Sequence, residues 1–213
     1  MNVLIFDFET TGLSPIKDEI IEIGAIKLKL ENNAFRIIDE LSVILKSNVV
    51  ISKEITQITG ITPLMQKKEG ISQEEGFLKL EKLIDNDTLL VAYNIQFDIS
   101  FLAEFYRKNK KVTYNFENNL LDVMAIYKDR HKYPHKLADA LVKYNISLVN
   151  SHRALDDAKA TYELLKSLKK EKPNISKYIN VIGYNKKFGV FGTKFDHVEY
   201  VVQSGGKGEI ESL

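Results

Sequence analysis

Residues 3–13 read VLIFDFETTGL, and this stretch decides the fold. Val3 to Phe8 is an apolar, β-prone run, so a strand buried in a sheet is expected. Asp7 and Glu9 interrupt it. Two apart on a strand, they point to the same face, while Phe6 and Phe8 point to the other. Two carboxylates side by side at the end of a buried strand repel each other and lose hydration. A divalent cation relieves both penalties, so the pair is a candidate metal site. Salt-bridged surface carboxylates are the competing reading, and the apolar run weighs against it. Gly12 and Pro15 punctuate the turn that follows.

Outward from this strand, Glu19 to Leu30 alternates. Ile21, Ile23, Ala25, Ile26 and Leu28 are assigned inward, and Glu22, Lys27 and Lys29 outward. Glu31-Asn32-Asn33 is read as a hairpin turn and Phe35 to Leu45 as a third strand, completing an antiparallel meander. Ser52 to Ile58 reads as a short helix ended by Gly60. Ser72 with Glu75 is a capping-box start for another helix. Thr88 to Tyr93 is a fourth strand, followed by a helix with Phe97, Phe101, Leu102 and Phe105 on one face. Asn119 to Val123 is a fifth strand candidate leading into a helical turn. Lys136 to Tyr144 and Ala154 to Leu168 are helices. Early strands followed by β-α alternation imply an α/β fold with a mixed sheet.

The whole chain bounds the reading further. Its 213 residues suffice for one α/β domain with an appendage. There is no cysteine, which excludes disulfides, thiolate metal sites and a thiol nucleophile, and suits a cytoplasmic setting. Acids enter the N-terminal apolar run too early for a signal peptide, and no apolar stretch is long enough for a membrane span. Net charge is +1, so any attraction for nucleic acid must be local. Lysine and arginine cluster at 107–111, 128–136, 169–172 and 186–187; for any one cluster a solvated helix end is the preferred reading.

Three more residues fit the chemistry of Asp7 and Glu9. Asp98, in AYNIQFDISFL, starts a helix directly after a strand, where α/β proteins place functional groups. A dipole-stabilising acid in a first helical turn is an equally good account of it. Asn94 stands between strand and helix as an N-cap candidate. His152 and Asp157 lie in SHRALDDA. Five residues apart, they do not share a helical face, so His152 belongs on the preceding loop, held by Ser151 or adjacent backbone. Imidazole titrates near neutrality and can take a proton from water. His131, His135 and His197 read as satisfied polar residues.

Taken together, DFETTGL (7–13), YNIQFDISFL (93–102) and HRALDDA (152–158) resemble, in order, the three motifs of the DEDDh 3′–5′ exonucleases. This DnaQ-like group includes the proofreading exonuclease of bacterial DNA polymerase III. The resemblance covers about residues 1–170, and ITQITGIT (55–62) and HKLADALVKYNI (135–146) are similar to connecting segments of the group. It implies a ribonuclease-H-like sheet of five or six strands flanked by helices. It implies that Asp7, Glu9, Asp98 and Asp157 hold two Mg²⁺ or Mn²⁺ ions, with His152 as general base. Thr10, Gly12 and Leu13 fall where relatives hold the 3′-terminal nucleotide, and Asn94 and Phe97 where the second motif lines the pocket. Two features depart from the pattern. Tyr93 stands where the second motif usually has histidine, and Ile51-Ser52 lacks a proline usual after the third strand.

The expected activity is metal-dependent release of nucleoside 5′-monophosphates from 3′ ends, of single-stranded or frayed DNA first and of RNA as the alternative. A DNA polymerase subunit is a candidate partner. A non-catalytic nucleic-acid-binding or polymerase-docking module is the reading from another class. Residues 1–172 are expected to carry the exonuclease domain and 173–213 a C-terminal extension. Within that extension, residues 183–213 hold six of the eleven glycines, with Phe188, Phe191, Phe195 and Tyr200 among lysines. Phe188 to Phe191 and His197 to Val202 read as short strands of a hairpin, and Gly205 to Gly208 as a frayed tail. The lysines and aromatics are candidates to extend a nucleic-acid groove.

Overall fold

A computed structural model describes residues 2–31, 34–111, 117–147 and 152–213. Strands β1 (Asn2–Thr10), β2 (Ile20–Glu31) and β3 (Ala34–Ile44) form the antiparallel meander. Strands β4 (Leu89–Ala92) and β5 (Leu120–Asp122) extend the sheet in parallel, in the order β3-β2-β1-β4-β5. The sheet is therefore mixed, as the sequence pattern implies. Asn32 and Asn33, assigned to the first turn, lie outside the described residues.

Both faces of the sheet are covered. Phe6, Phe8, Ile23 and Leu90 pack toward Phe77, Phe101 and Phe105 of helices α3 (Gln73–Glu81) and α4 (Ile95–Lys110). Val3, Ile5, Ile26, Leu28 and Val91 pack toward helices α5 (Val123–Arg130) and α7 (Ala154–Glu171). Helices α1 (Lys53–Thr59), α2 (Pro63–Glu69) and α6 (Leu137–Lys143) complete the layers. Two-sided cover corrects one sequence assignment. Glu22 of β2 is not outward in water but 1% exposed, because helix α7 lies over its face.

Local chemistry sets the helix ends. The Ser52 hydroxyl accepts from Ile55 N–H at 3.1 Å, and Gly60 closes α1 at φ 72°. Ser72 accepts from Glu75 N–H at 3.1 Å. Helix α2 adds to the elements expected from the sequence, and Thr62-Pro63 is its start signal: Thr62 caps Met65 N–H, with Pro63 at the first helical position. Asn94 occupies the N-cap position of α4 but makes no side-chain capping bond, contrary to expectation. Its backbone is left-handed at φ 91°, and its N–H donates to Asp122 Oδ1 at 3.3 Å.

The extension departs most from its sequence reading. Its strands are β6 (Val181–Tyr184) and β7 (Glu199–Val202), and they pair in parallel rather than as a hairpin. Phe188 to Phe191 is a turn and loop between them, not a strand. The glycine tail is docked rather than frayed. Gly206 N–H donates to Lys128 C=O at 2.8 Å and Gly208 N–H to Asp129 C=O at 2.9 Å. The buried Asp129 carboxylate accepts from Tyr178 OH, Gln203 Nε2, Ile210 N–H and Glu211 N–H at 2.9–3.2 Å. Ile210 is fully buried on the α5–α7 side. Glycines supply the positive φ this path needs, at 205, 206 and 208. Among the described residues, no helix is long and apolar enough to cross a membrane.

Candidate active site

Asp7 and Glu9 project from the carboxyl half of β1 toward the first turns of α7. Close approach of α7 to the sheet depends on Gly24, which pairs with Asp7 across β1 and β2. A Cβ at Gly24 would collide with the backbone of Ala154 and Leu155. Glu22 fixes the same helix start. Its Oε2 accepts from Ala154 N–H at 3.1 Å, and its Oε1 accepts from Arg153 Nε and Nη2 at 2.9 and 2.6 Å. Neither Glu22 nor Arg153 was selected from the sequence. For Glu22 the available signal was a charge inside an apolar strand; Arg153, at the N-cap of α7, offered none.

With α7 so seated, Asp157 joins Asp7 and Glu9. One carboxylate oxygen from each lies within 4.8 Å of the others. Asp98, from the first turn of α4, sits beside them under the strand; its Oδ1 accepts from Phe8 N–H at 3.2 Å. His152 is exposed at φ 49° just before α7, close enough to lower the pKa of Asp157. Ser151, expected to hold it, lies outside the described residues. Asp156, the neighbouring acid, is exposed, whereas Asp157 is buried.

The carboxylates strain one another electrostatically. Burial, then the charges of Asp157 and Glu22, push Asp7 up to about 8. Burial, then Asp7, Asp157 and Glu22, push Glu9 up to about 9, against the pull of Arg153. Burial and the Asp7 charge raise Asp98 well above the carboxylate range, opposed by the Phe8 N–H. Burial raises Asp157 to about 6, with His152 pulling it down. Asp157 Oδ1 is buried with no hydrogen-bond partner among the described residues. Crowded acids and an orphaned oxygen are the donor set of a divalent-cation site, so the residues fit such a metal. All the donors are oxygens, which suits hard cations.

The remaining sequence candidates surround this cluster. Thr10 is buried, with its hydroxyl donating to Gly12 C=O at 2.6 Å, so it shapes the loop after β1. Gly12 leaves room for the Asp18 carboxylate, which accepts from Thr11 Oγ1 and Ser14 N–H. Leu13 is 76% exposed at the tip of that loop. Phe97 is half-buried, next to Asp98 on α4. Tyr93 is buried, and its hydroxyl donates to His135 C=O at 2.8 Å, tying the start of the second motif to the chain before α6. Of the basic clusters, Arg130 is withdrawn from any groove: its side chain is buried against Glu171 and Glu211.

Comparison with known proteins agrees with this geometry. The DNA polymerase III PolC-type of Caldanaerobacter subterraneus subsp. tengcongensis is 38% identical over 174 residues, covering 78% of this chain and 12% of that protein. The Bacillus subtilis protein of the same description is 35% identical over 171 residues, covering 78% of this chain and 11% of its own. The chain thus spans about an eighth of the length of these relatives. Among solved structures, E. coli Exonuclease I in complex with a dT13 oligonucleotide superposes with a TM-score of 0.72, at 23% identity, over 83% of this chain and 43% of that one. It shares the fold. The RNase_T family pattern, described as Exonuclease, matches residues 4–165. That match runs through the whole acidic cluster from Asp7 to Asp157, and the chain belongs to this exonuclease family.

Proposed function

We propose that this chain is a metal-dependent 3′–5′ exonuclease that shortens single-stranded or frayed DNA, releasing nucleoside 5′-monophosphates. The observation that carries the reading is the convergence of Asp7, Glu9 and Asp157 within 4.8 Å, in a chain of the exonuclease family. Asp98 completes the set, and the four acids would hold two Mg²⁺ or Mn²⁺ ions. When bound, such ions activate water and neutralise charge on the phosphodiester. His152, exposed just before α7, accepts the proton of the attacking water. The Phe8 N–H orients Asp98, while Glu22 and Arg153 orient α7 and so Asp157. Thr10, Gly12 and Leu13 on one side, with Asn94 and Phe97 on the other, hold the terminal nucleotide.

DNA is favoured over RNA because the relatives are named as DNA polymerases and the Exonuclease I complex holds a deoxythymidine oligonucleotide. A DNA polymerase, in a cytoplasmic setting, is the corresponding partner. Residues 1–172 carry the chemistry and 173–213 extend it. The test is digestion of a 5′-labelled oligonucleotide with Mn²⁺, beside an RNA of the same sequence. A ladder of single-nucleotide steps on DNA is expected. Full activity in EDTA or in Asp157→Ala, or cleavage of RNA alone, would overturn the reading.

A further inference from the structure

We propose that residues 185–194 of the extension form a stacking shelf for the single strand behind the 3′ end, joined to the active site through Phe97. This rests on the exonuclease reading but concerns a different stretch of substrate from the nucleotide being cleaved.

The segment is built onto the helix that carries Asp98. Gln96, buried on α4, donates to Gly183 C=O at 3.0 Å and accepts from Phe191 N–H at 2.9 Å. One turn on, Ser100 Oγ accepts from Thr193 N–H at 3.3 Å. Gly192, at φ 65°, lies so close to Ser100 that a Cβ there would collide with its side chain. Residues 96 and 100 thus fix the shelf, and residue 98, on the same turns, faces the acids.

An aromatic series runs outward from the core along this seam. Phe101 is buried and lies 4.8 Å from Phe97 between ring centroids. Phe97 is half-buried and stacks on Phe191 at 5.9 Å with planes 26° apart. Phe191 is 38% exposed and Phe188 is 78% exposed. Lys187 Nζ lies 5.4 Å from the Phe188 ring centroid. Lys186, Lys187 and Lys194 are exposed, and residues 185–195 contain no acid. Beside the segment, a cleft of ≈ 350 Å³ runs between Gly192, Thr193, Ser100 and the Pro15-Ile16 loop that follows β1, and the paired Glu104 and Arg107 of α4 complete its wall. Exposed rings flanked by cations match the alternating bases and phosphates of a single strand. The acidic site engages only the phosphate being cleaved, so the strand behind it gains its affinity from an adjoining basic and aromatic surface.

The test compares dT12 with a thymidine dinucleotide, too short to reach the shelf. Phe188→Ala is expected to raise KM for dT12 about tenfold, while kcat and the dinucleotide values move less than twofold. Lys186→Ala with Lys187→Ala is expected to flatten the salt dependence of dT12 binding by about one to one and a half logarithmic units per decade of salt. Equal losses on both substrates, or no loss on dT12, would overturn the shelf. Anisotropy of fluorescein-dT12 in Ca²⁺ reads the shelf separately from cleavage. If the wild type cleaves neither substrate, the exonuclease reading fails. A Kd weakened about tenfold by Phe188→Ala still supports the shelf in that case, and an unchanged Kd refutes it.

Discussion

Gly24→Ala tests how the acidic cluster is assembled. Gly24 lies directly opposite Asp7 in the β1–β2 register, and the added methyl would overlap the Ala154–Leu155 backbone. Carbon atoms in contact sit about 3.5–4.0 Å apart, so α7 must withdraw by at least ~1 Å. Strand β2 cannot yield instead, because it is hydrogen-bonded to β1 on one side and β3 on the other. Overpacking of this kind destabilises by about 1–3 kcal/mol, or several degrees of Tm for a chain of this size. The larger effect falls on activity. Asp157 moves with its helix, and a displacement near 1 Å from productive geometry costs about 10²-fold in rate. Single-turnover cleavage of a labelled oligonucleotide, with circular dichroism to verify folding, measures both. A Gly24→Ala protein within threefold of wild-type kcat would refute the reasoning that α7 depth sets the cluster.

Other consequences are equally direct. Glu9 has its folded pKa raised to about 9 from an ordinary 4.5, so its contribution to stability is full below pH 4.5 and is lost as pH rises through 9. Urea titration in EDTA should therefore find Glu9→Gln more stable than wild type at pH 8 and equal to it at pH 4; equal stability at both would count against the repulsion. Saturating Mn²⁺ at a hundredfold over Kd should stabilise the wild type by about 2.7 kcal/mol. Asp157→Asn should abolish that gain in thermal melts, and a retained gain would remove Asp157 from the metal site. Glu22→Gln loosens the Arg153 pair and should lower kcat more than it raises KM; a pure KM effect would contradict a role in seating α7. Ile210→Ala should cost about 2–4 kcal/mol in a single transition, whereas a neutral result would mean the tail is not docked as described.

The sequence exposed its sheet because apolar runs and, in β2, apolar alternation are local signals, and β1 to β5 lie within a few residues of where those signals put them. It also paired Asp7 with Glu9 by their spacing on a strand, and ordered motifs brought Asp98 and Asp157 into the same reading. What escaped depends on distant partners. Glu22 looks solvent-bound in β2 until Arg153, far along the chain, arrives with α7. Gln96 reads as an ordinary polar residue in a first helical turn. Its two bonds go to Gly183 and Phe191, which no periodicity connects to it. The glycines at 205–208 look like disorder by composition, yet their freedom at positive φ is what lets the tail reach Asp129.

The parallel pairing of β6 and β7 has an architectural consequence. Antiparallel neighbours can be joined by two residues, but parallel ones oblige the chain to travel back along the whole strand before starting again. Residues 185–198 make that return journey, without a helix, across the outside of α4. Their length is set by topology only as a minimum. Residues added there would lengthen the overhang without disturbing strand register or the acids. Lengthening or shortening this one detour would reshape the surface beside α4 while the chemistry beneath it stays unchanged.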